Sequence, residues 1–292
     1  MKKTLIYIGI GLIILTLNAC EDDIEINGNH QPILNVHFMK DGSRPFWMIV
    51  DPVDDNAVLT CLHQTVDITD TVSSHRKVEN AKIEIYSNDE LITCIEPENE
   101  LYTSEPWTPI EGKTYQVYGY ANDYPVLTGE CKIPYTVPIN YIEYNYTLSN
   151  DEFNSFAEFE GFINITDPVD QNNFYYLNVI RVSSQGESIF KLQFLDPFIE
   201  EGNIFSDEFF NGKSHNIHFK PHPYYPIREG NLIFELWSIS ESYYNIFKSM
   251  YLYHYINHFD NYAEPVQFYS NVNNGLGVIS ASSVARDTIR IN

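Results

Sequence analysis

Lys82-Ile83-Glu84-Ile85-Tyr86, then Ser87-Asn88-Asp89-Glu90, then Leu91-Ile92-Thr93-Cys94-Ile95: this stretch decides the fold. Apolar and polar residues alternate with period two, four turn-forming residues follow, and a β-rich run returns. Period two places one side-chain set on a buried face and the other in water, which is the mark of a half-buried strand. The same pattern recurs outward from it. Ala57-Val58-Leu59-Thr60-Cys61-Leu62 lies upstream, and β character begins at about Ile33. Downstream, Glu111-Gly112-Lys113 is a turn, Thr114 to Tyr120 alternates again, and Leu127 to Ile133 supplies a further strand. Strands this short, with turns between them, predict an antiparallel sandwich rather than a parallel sheet.

Pro134-Tyr135-Thr136-Val137-Pro138 interrupts the pattern. Proline has no N–H to give to a ladder, so a central strand cannot run through this joint. The expected organisation is therefore an immunoglobulin- or transthyretin-like sandwich over 31–136 and a second β-rich region over 137–292. Its strands are predicted at Phe156 to Ile165, Phe174 to Val182, Ser188 to Phe194, His215 to Lys220 and Asn231 to Ile239. One helix is predicted, from Ser242 to about Phe259, capped by Ser240 and with Glu241 favoured by the helix dipole. From Ala263 onward the chain reads as irregular, with Gly275 and Gly277 as breakers.

The first residues have another character. Met1-Lys2-Lys3 is basic, Leu5 to Leu17 is almost wholly apolar, and Leu17-Asn18-Ala19-Cys20 ends the run with a small residue before a cysteine. These are the parts of a secretory signal. The run is shorter than the roughly 20 apolar residues that span a bilayer. A lipobox reading makes residues 1–19 a lipoprotein signal peptide, Cys20 the acylated residue, and 20–30 an acidic tether. Glu21, Asp22 and Asp23 resemble the export signal that sends lipoproteins of the Bacteroidota to the outer face of the outer membrane. The formal net charge is −23. Such a chain repels phosphate backbones and anionic membranes, which excludes nucleic acid as a partner and leaves the lipid as the membrane anchor. Cys61, Cys94 and Cys131 make an odd set, with any disulfide pairing open.

Ala263-Glu264-Pro265-Val266-Gln267-Phe268-Tyr269-Ser270-Asn271-Val272-Asn273-Asn274-Gly275-Leu276-Gly277-Val278 carries a family resemblance. So do Ser206-Asp207-Glu208-Phe209-Phe210-Asn211-Gly212-Lys213, the run from Asp167-Pro168 to Asn173-Phe174-Tyr175-Tyr176-Leu177, and the Gly-Lys-Thr-Tyr strand. Together they resemble a family of Bacteroidota surface lipoproteins, domain of unknown function 4249. The resemblance covers nearly the whole chain after residue 19. It implies an outer-membrane lipoprotein facing the cell exterior, with a TonB-dependent transporter as partner and no established catalytic residue. The expected function is non-enzymatic ligand capture for that transporter; the alternative is a structural or adhesive surface protein without a small ligand.

Candidate chemistry is sparse. Asn271, Asn273 and Asn274 offer amides, and Gly275 and Gly277 permit unusual backbone, so this segment is either a ligand loop or a clasp that satisfies buried backbone. His254 and His258 share a helix face at a spacing that can chelate, but no glutamate follows His254 as in a zincin, and no metal or other cofactor is expected. His215 and His218 fall on opposite faces of a strand. The Asp-Pro-Val-Asp runs at 51–54 and 167–170 read as turn chemistry rather than calcium loops. The tyrosines of the helix, among them Tyr243, Tyr244 and Tyr251, read as core, with a stacking platform for a flat ligand as the other possibility.

Overall fold

The computed structural model describes residues 31–40, 58–64, 76–78, 80–96, 107–151, 154–169, 171–183, 186–200, 202–221, 230–259 and 267–291. In chain order the strands are β1 (Pro32–Lys40), β2 (Val58–Gln64), β3 (Arg76–Lys77), β4 (Lys82–Ser87), β5 (Glu90–Ile95), β6 (Thr114–Tyr120), β7 (Leu127–Lys132), β8 (Ile139–Asp151) and β9 (Asn154–Thr166). Then follow β10 (Phe174–Ser183), β11 (Gly186–Ile189), β12 (Leu192–Phe194), β13 (Ile204–Ser206), β14 (Ser214–Pro221), β15 (Gly230–Ile239), helix α1 (Glu241–Phe259) and β16 (Ile279–Ile291). The described chain is mainly β, with one helix and its sheets in a sandwich-like arrangement.

The hairpin expected over 82–95 is present. β4 and β5 pair antiparallel, with Ser87 opposite Glu90. Asn88 and Asp89 both take positive φ, 52° and 62°. Two left-handed central residues make the turn whose twist matches the strands it joins, and Asn and Asp tolerate that conformation better than most side chains.

Three sheets result. Eight strands form one sheet, in the order β11-β10-β15-β16-β1-β2-β3 with β13 also on β10. Two four-stranded sheets are ordered β12-β14-β9-β8 and β5-β4-β6-β7. Register shows how they stack. Leu34, Val36 and Phe38 share a face with Ile279 and Ala281, and this face packs against Ile83, Ile85, Tyr115 and Val117 of β4 and β6. Further along the same face, Leu232, Phe234, Leu236, Ile289 and Ile291 pack against Phe159, Ile163, Ile217 and Phe219 of β9 and β14. The two small sheets thus cover neighbouring halves of one face of the large sheet. On the other face Trp237, Ile239 and Val284 receive Tyr243, Tyr244 and Phe247 of α1.

The proline joint crosses between these halves. Ile133 lies in the first core and Val137 in the second. Ser283 Oγ donates to Pro134 O at 3.3 Å, and Val137 N–H donates to Ser238 Oγ at 3.1 Å. A serine within β16 and one near the end of β15 therefore satisfy a stretch that has no ladder of its own.

Three expectations change. The chain after Ala263 is not irregular to its end: β16 spans Ile279–Ile291 and runs between β15 and β1, parallel to β1. Its first six residues are all buried. A strand covered on both faces loses the alternation that betrays a strand, and Ser280, Ala281, Ser282 and Ser283 are small enough to fit there. The run Ser188 to Phe194 is two strands in different sheets, β11 and β12, separated at Phe190-Lys191. β8 was not anticipated. Tyr141 faces outward while Tyr144 and Tyr146 pack inward, so one residue type on both faces hides the period.

Candidate functional site

The five C-terminal residues singled out in the sequence sit against β1 and β7. Asn271 imitates a strand: its Nδ2 donates to Ile279 O at 2.9 Å, and its Oδ1 accepts from Ile279 N–H at 2.8 Å. Asn273 exchanges backbone bonds with Thr128 and adds a bond from Nδ2 to Thr128 Oγ1 at 3.2 Å. Asn274 Nδ2 donates to Val126 O at 2.9 Å. Gly277 has φ +123°, and a Cβ there would lie 2.0 Å from Leu34 O. A Cβ on Gly275 would lie 2.6 Å from Leu127 Cδ2 and 2.7 Å from Pro32 O. At these two glycines the segment passes too close to its neighbours for a side chain, and its amides hold neighbouring backbone.

Two further motifs behind the resemblance, 167–177 and 206–213, meet each other in space. Asp167 is buried, as is Asp207. Asp167 Oδ1 accepts from Tyr175 Oη at 2.5 Å and from Asn173 Nδ2 at 3.1 Å, and its Oδ2 accepts from Gly212 N–H at 2.9 Å. Asp207 Oδ2 accepts from Asn173 N–H at 2.9 Å. Asn173 thus bridges two buried carboxylates. Burial, and then the charge of Asp167, raise the Asp207 pKa above its ordinary value, though the bonds from Asn173 oppose this. Burial and the bond to Asp167 push the Tyr175 hydroxyl up as well. Asp170 and the Asp51–Asp54 run lie outside the described residues. Among the described residues no group of His, Cys, Asp or Glu is arranged to hold a metal ion.

Three concavities border α1. One groove of about 810 Å³ is lined by Ile204, Lys248, Tyr251, Leu252, Gln267 and Tyr269 among others. A second, of about 870 Å³, lies between β10, β11 and β12 and includes Tyr176, Asn178, Phe194 and Asn203. They share Glu200 and Tyr251. At that corner Tyr244 Oη donates to Glu200 Oε1, and Lys248 Nζ lies 3.0 Å from the same carboxylate and 5.0 Å from the Tyr244 ring centroid. Burial first, and then Glu200, raise the Tyr244 pKa. Leu252, Tyr253 and Phe268 are exposed beside the first groove, with the last two rings 5.0 Å apart. A third cavity, of about 380 Å³, lies at the seam, bounded by Cys131, Pro134, Asn173, Ser240 and Asn271.

The helix begins as its cap residue dictates. Ser240 Oγ accepts from Tyr243 N–H at 3.2 Å and from Ala281 N–H at 3.0 Å, so one hydroxyl caps α1 and ties it to β16. Tyr243, Tyr244 and Phe247 are buried. His254 and His258 fall on α1, but their side chains lie outside the described residues. His215 and His218 do point apart: His215 stacks on Phe210 and binds Asp196 at 2.6 Å, whereas His218 stacks on Phe162 on the solvent face. Cys61, Cys94 and Cys131 are free thiols. Burial pushes Cys131 up to about 11, which makes it a poor nucleophile. Cys20, Glu21, Asp22 and Asp23 lie outside the described residues. No helix among the described residues is long and apolar enough to cross a membrane.

Residues 56–288 match the family described as Domain of unknown function (DUF4249). The chain belongs to the DUF4249 family. No curated protein and no solved structure matches it. In three of the segments behind the DUF4249 resemblance the polar side chains tie one stretch of chain to another: Asn271, Asn273 and Asn274 hold neighbouring backbone, and Asn173 joins the other two segments through the buried carboxylates of Asp167 and Asp207. Sequence reasoning missed the solvent face of β8, β9 and β14, because β8 itself was hidden.

Proposed function

We propose that this protein is a lipid-anchored lipoprotein of the outer-membrane surface in a Bacteroidota cell, which captures a ligand for a TonB-dependent transporter and catalyses no reaction. The observation that carries the reading is Leu17-Asn18-Ala19-Cys20 followed at once by Glu21-Asp22-Asp23. The net charge of −23 supports it, since a chain this acidic needs a lipid to stay on an anionic surface. The grooves that meet at Glu200 and Tyr251 support the capture role. Their size falls within the roughly 300–1,000 Å³ of small-molecule sites, and each mixes apolar walls with a few polar groups. The exposed trio Leu252, Tyr253 and Phe268 beside them suits contact with a second protein.

Fractionation of cells tests the anchor. Cys20→Ser is expected to move the protein from the membrane to the soluble fraction; retention in the membrane would end the lipobox reading. Replacing Glu21, Asp22 and Asp23 by Ala is expected to leave it lipidated but protected from protease added outside the cell. Copurification with a TonB-dependent transporter, identified by mass spectrometry, tests the partner. A wild-type protein that never copurifies with one favours the adhesive alternative.

A further inference from the structure

We propose that the solvent face of β8, β9 and β14 is a glycan-binding platform that takes neutral pyranose rings. The register builds a small grid there. Tyr141, Asn164 and Asn216 lie side by side across the three strands, and Glu143, Phe162 and His218 form the next row. Neighbouring strands are about 4.8 Å apart and rows two residues apart are separated by about 6.8 Å, so the grid matches one to two sugar rings. Tyr141 and Phe162 are 48% and 41% exposed, large values for aromatic side chains on a sheet. Phe162 is held in place, since its ring stacks on His218 at 4.7 Å and 25°.

The polar part of the grid is also fixed in advance. Asn164 is only 7% exposed. Its Oδ1 accepts from Asn140 Nδ2 at 2.7 Å and from Ser214 Oγ at 3.2 Å, and its Nδ2 donates to Asn216 Oδ1 at 2.5 Å. Asn140 Nδ2 also donates to Thr166 Oγ1 at 2.8 Å. These bonds leave particular atoms over. The Nδ2 of Asn216, Oδ1 of Asn140, the hydroxyl of Tyr141 and the carboxylate of Glu143 have no partner among the described residues. They supply donors and acceptors at the rim of two aromatic faces.

That combination selects the ligand. A pyranose presents an apolar C–H face and a rim of hydroxyls that both donate and accept, and orienting groups already locked in place reduce the entropy lost on binding. Anionic ligands are disfavoured by Glu143, Glu160 and the net charge of −23. A dry protein interface is disfavoured because the two rings are separated by amides and a carboxylate whose desolvation costs free energy. The inference concerns a face away from the grooves and does not depend on the lipid anchor or the transporter.

Isothermal titration of the full chain with gluco-, manno-, galacto-, xylo- and N-acetylglucosamine oligosaccharides, with affinity electrophoresis in the matching polymers, tests it. At least one class is expected to bind. Phe162→Ala and Tyr141→Ala are each expected to weaken that binding by about tenfold or more, with Glu143→Gln smaller in effect. Tyr141→Ala serves as the control for folding, since its ring is outside the core, and its melting temperature should match wild type. Binding of no class overturns the proposal, as does unchanged affinity in the Tyr141→Ala, Phe162→Ala double variant. A face that retains a protein and no glycan overturns it equally. A Cys20→Ser chain that leaves the membrane yet still binds glycan would separate this inference from the anchoring proposal.

Discussion

Two clusters of asparagine in this molecule do opposite things. Asn271, Asn273 and Asn274 direct their amides at the backbone of Ile279, at the Thr128 hydroxyl and at the backbone of Val126, and bind an irregular segment to β1 and β7. Asn140, Asn164 and Asn216 bind one another across β8, β9 and β14, and leave an amide N–H₂ and a carbonyl oxygen facing solvent. The side chain is the same. What differs is the surrounding backbone. Irregular chain has unpaired N–H and C=O groups that must find partners when buried, so its asparagines are consumed. A regular ladder satisfies its own backbone, so amides above it are left to organise each other and whatever lies outside. An amide on irregular chain is therefore structural by default, and an amide on the solvent face of a sheet is available.

The largest expected effect breaks the first cluster from beneath. Gly277→Val forces a left-handed φ of +123° on a branched residue and drives its Cβ toward Leu34 O. Strain and overpacking together are expected to cost about 2–6 kcal/mol, read by denaturant unfolding. Gly275→Val meets only the close approach, since its φ is not positive, and should cost less. Equal and negligible effects in the two variants would mean that the segment does not clasp β1.

These outcomes bear on what could be read from residues alone. The hairpin at 82–95, the alternating strand at 114–120 and the helix capped by Ser240 were legible because each has a local cause: period two, a turn that needs Asn and Asp, a capping hydroxyl followed by an acidic residue in the first turn. β16 was not legible. Its partner β1 lies more than two hundred residues away in sequence, and its small buried serines answer to the helix and His37 rather than to any local rule. His37 itself, wholly buried with its ring nitrogens 2.8 and 2.7 Å from Ser280 and Ser282, is invisible until that pairing is known. The C-terminal asparagines stand out in the sequence as ligand or clasp, but the choice between those readings depends on where β1 and β7 run. The sheet-face amides were passed over for the same reason in reverse: nothing local shows that positions 141, 164 and 216 share a row.

Removing a single amide should cost less than distorting the backbone. Asn271→Ala deprives the N–H of Ile279 of its partner, while the C=O keeps the Ser242 hydroxyl at 2.8 Å, for an expected loss of about 1–3 kcal/mol. Asn271→Asp keeps the acceptor for Ile279 N–H but places a carboxylate oxygen against Ile279 O. It should be no more stable than Ala at neutral pH, whereas the two would differ in the opposite sense if only the acceptor mattered.

Asn173 stands between the two clusters in character, since it binds two carboxylates rather than backbone alone. Asp207 has its pKa raised above 3.8 by burial and by Asp167. A carboxyl group raised in the fold stabilises it most below the unfolded value, and that contribution is lost as pH rises through the folded value. Asp207→Asn keeps an oxygen for Asn173 and removes the charge. Between about pH 4 and pH 7 its melting temperature is therefore expected to gain on that of wild type. A difference that is flat with pH, or one that moves against the variant as pH rises, would show that Asp207 is held as a stabilised carboxylate.

The smallest expected effect on stability belongs to the second cluster. Asn216 accepts one bond from Asn164 Nδ2, and that nitrogen also donates to Ser214 Oγ at 3.1 Å. Asn216→Ala therefore leaves no orphaned buried donor, and Asn216 itself is exposed. Its stability should change by no more than about 0.5 kcal/mol, the range of surface substitutions away from special features. The contrast with Asn271→Ala is what matters. If the outer amides served to stitch strands, as the C-terminal ones do, the two substitutions would cost similar amounts. If they are available groups, Asn216→Ala leaves melting unchanged and weakens only what the face binds. Measuring both variants by the same denaturant titration, and Asn216→Ala against the oligosaccharide class that wild type retains, decides between them. A stability loss at Asn216 as large as at Asn271, with ligand affinity intact, would make the sheet face another piece of structure.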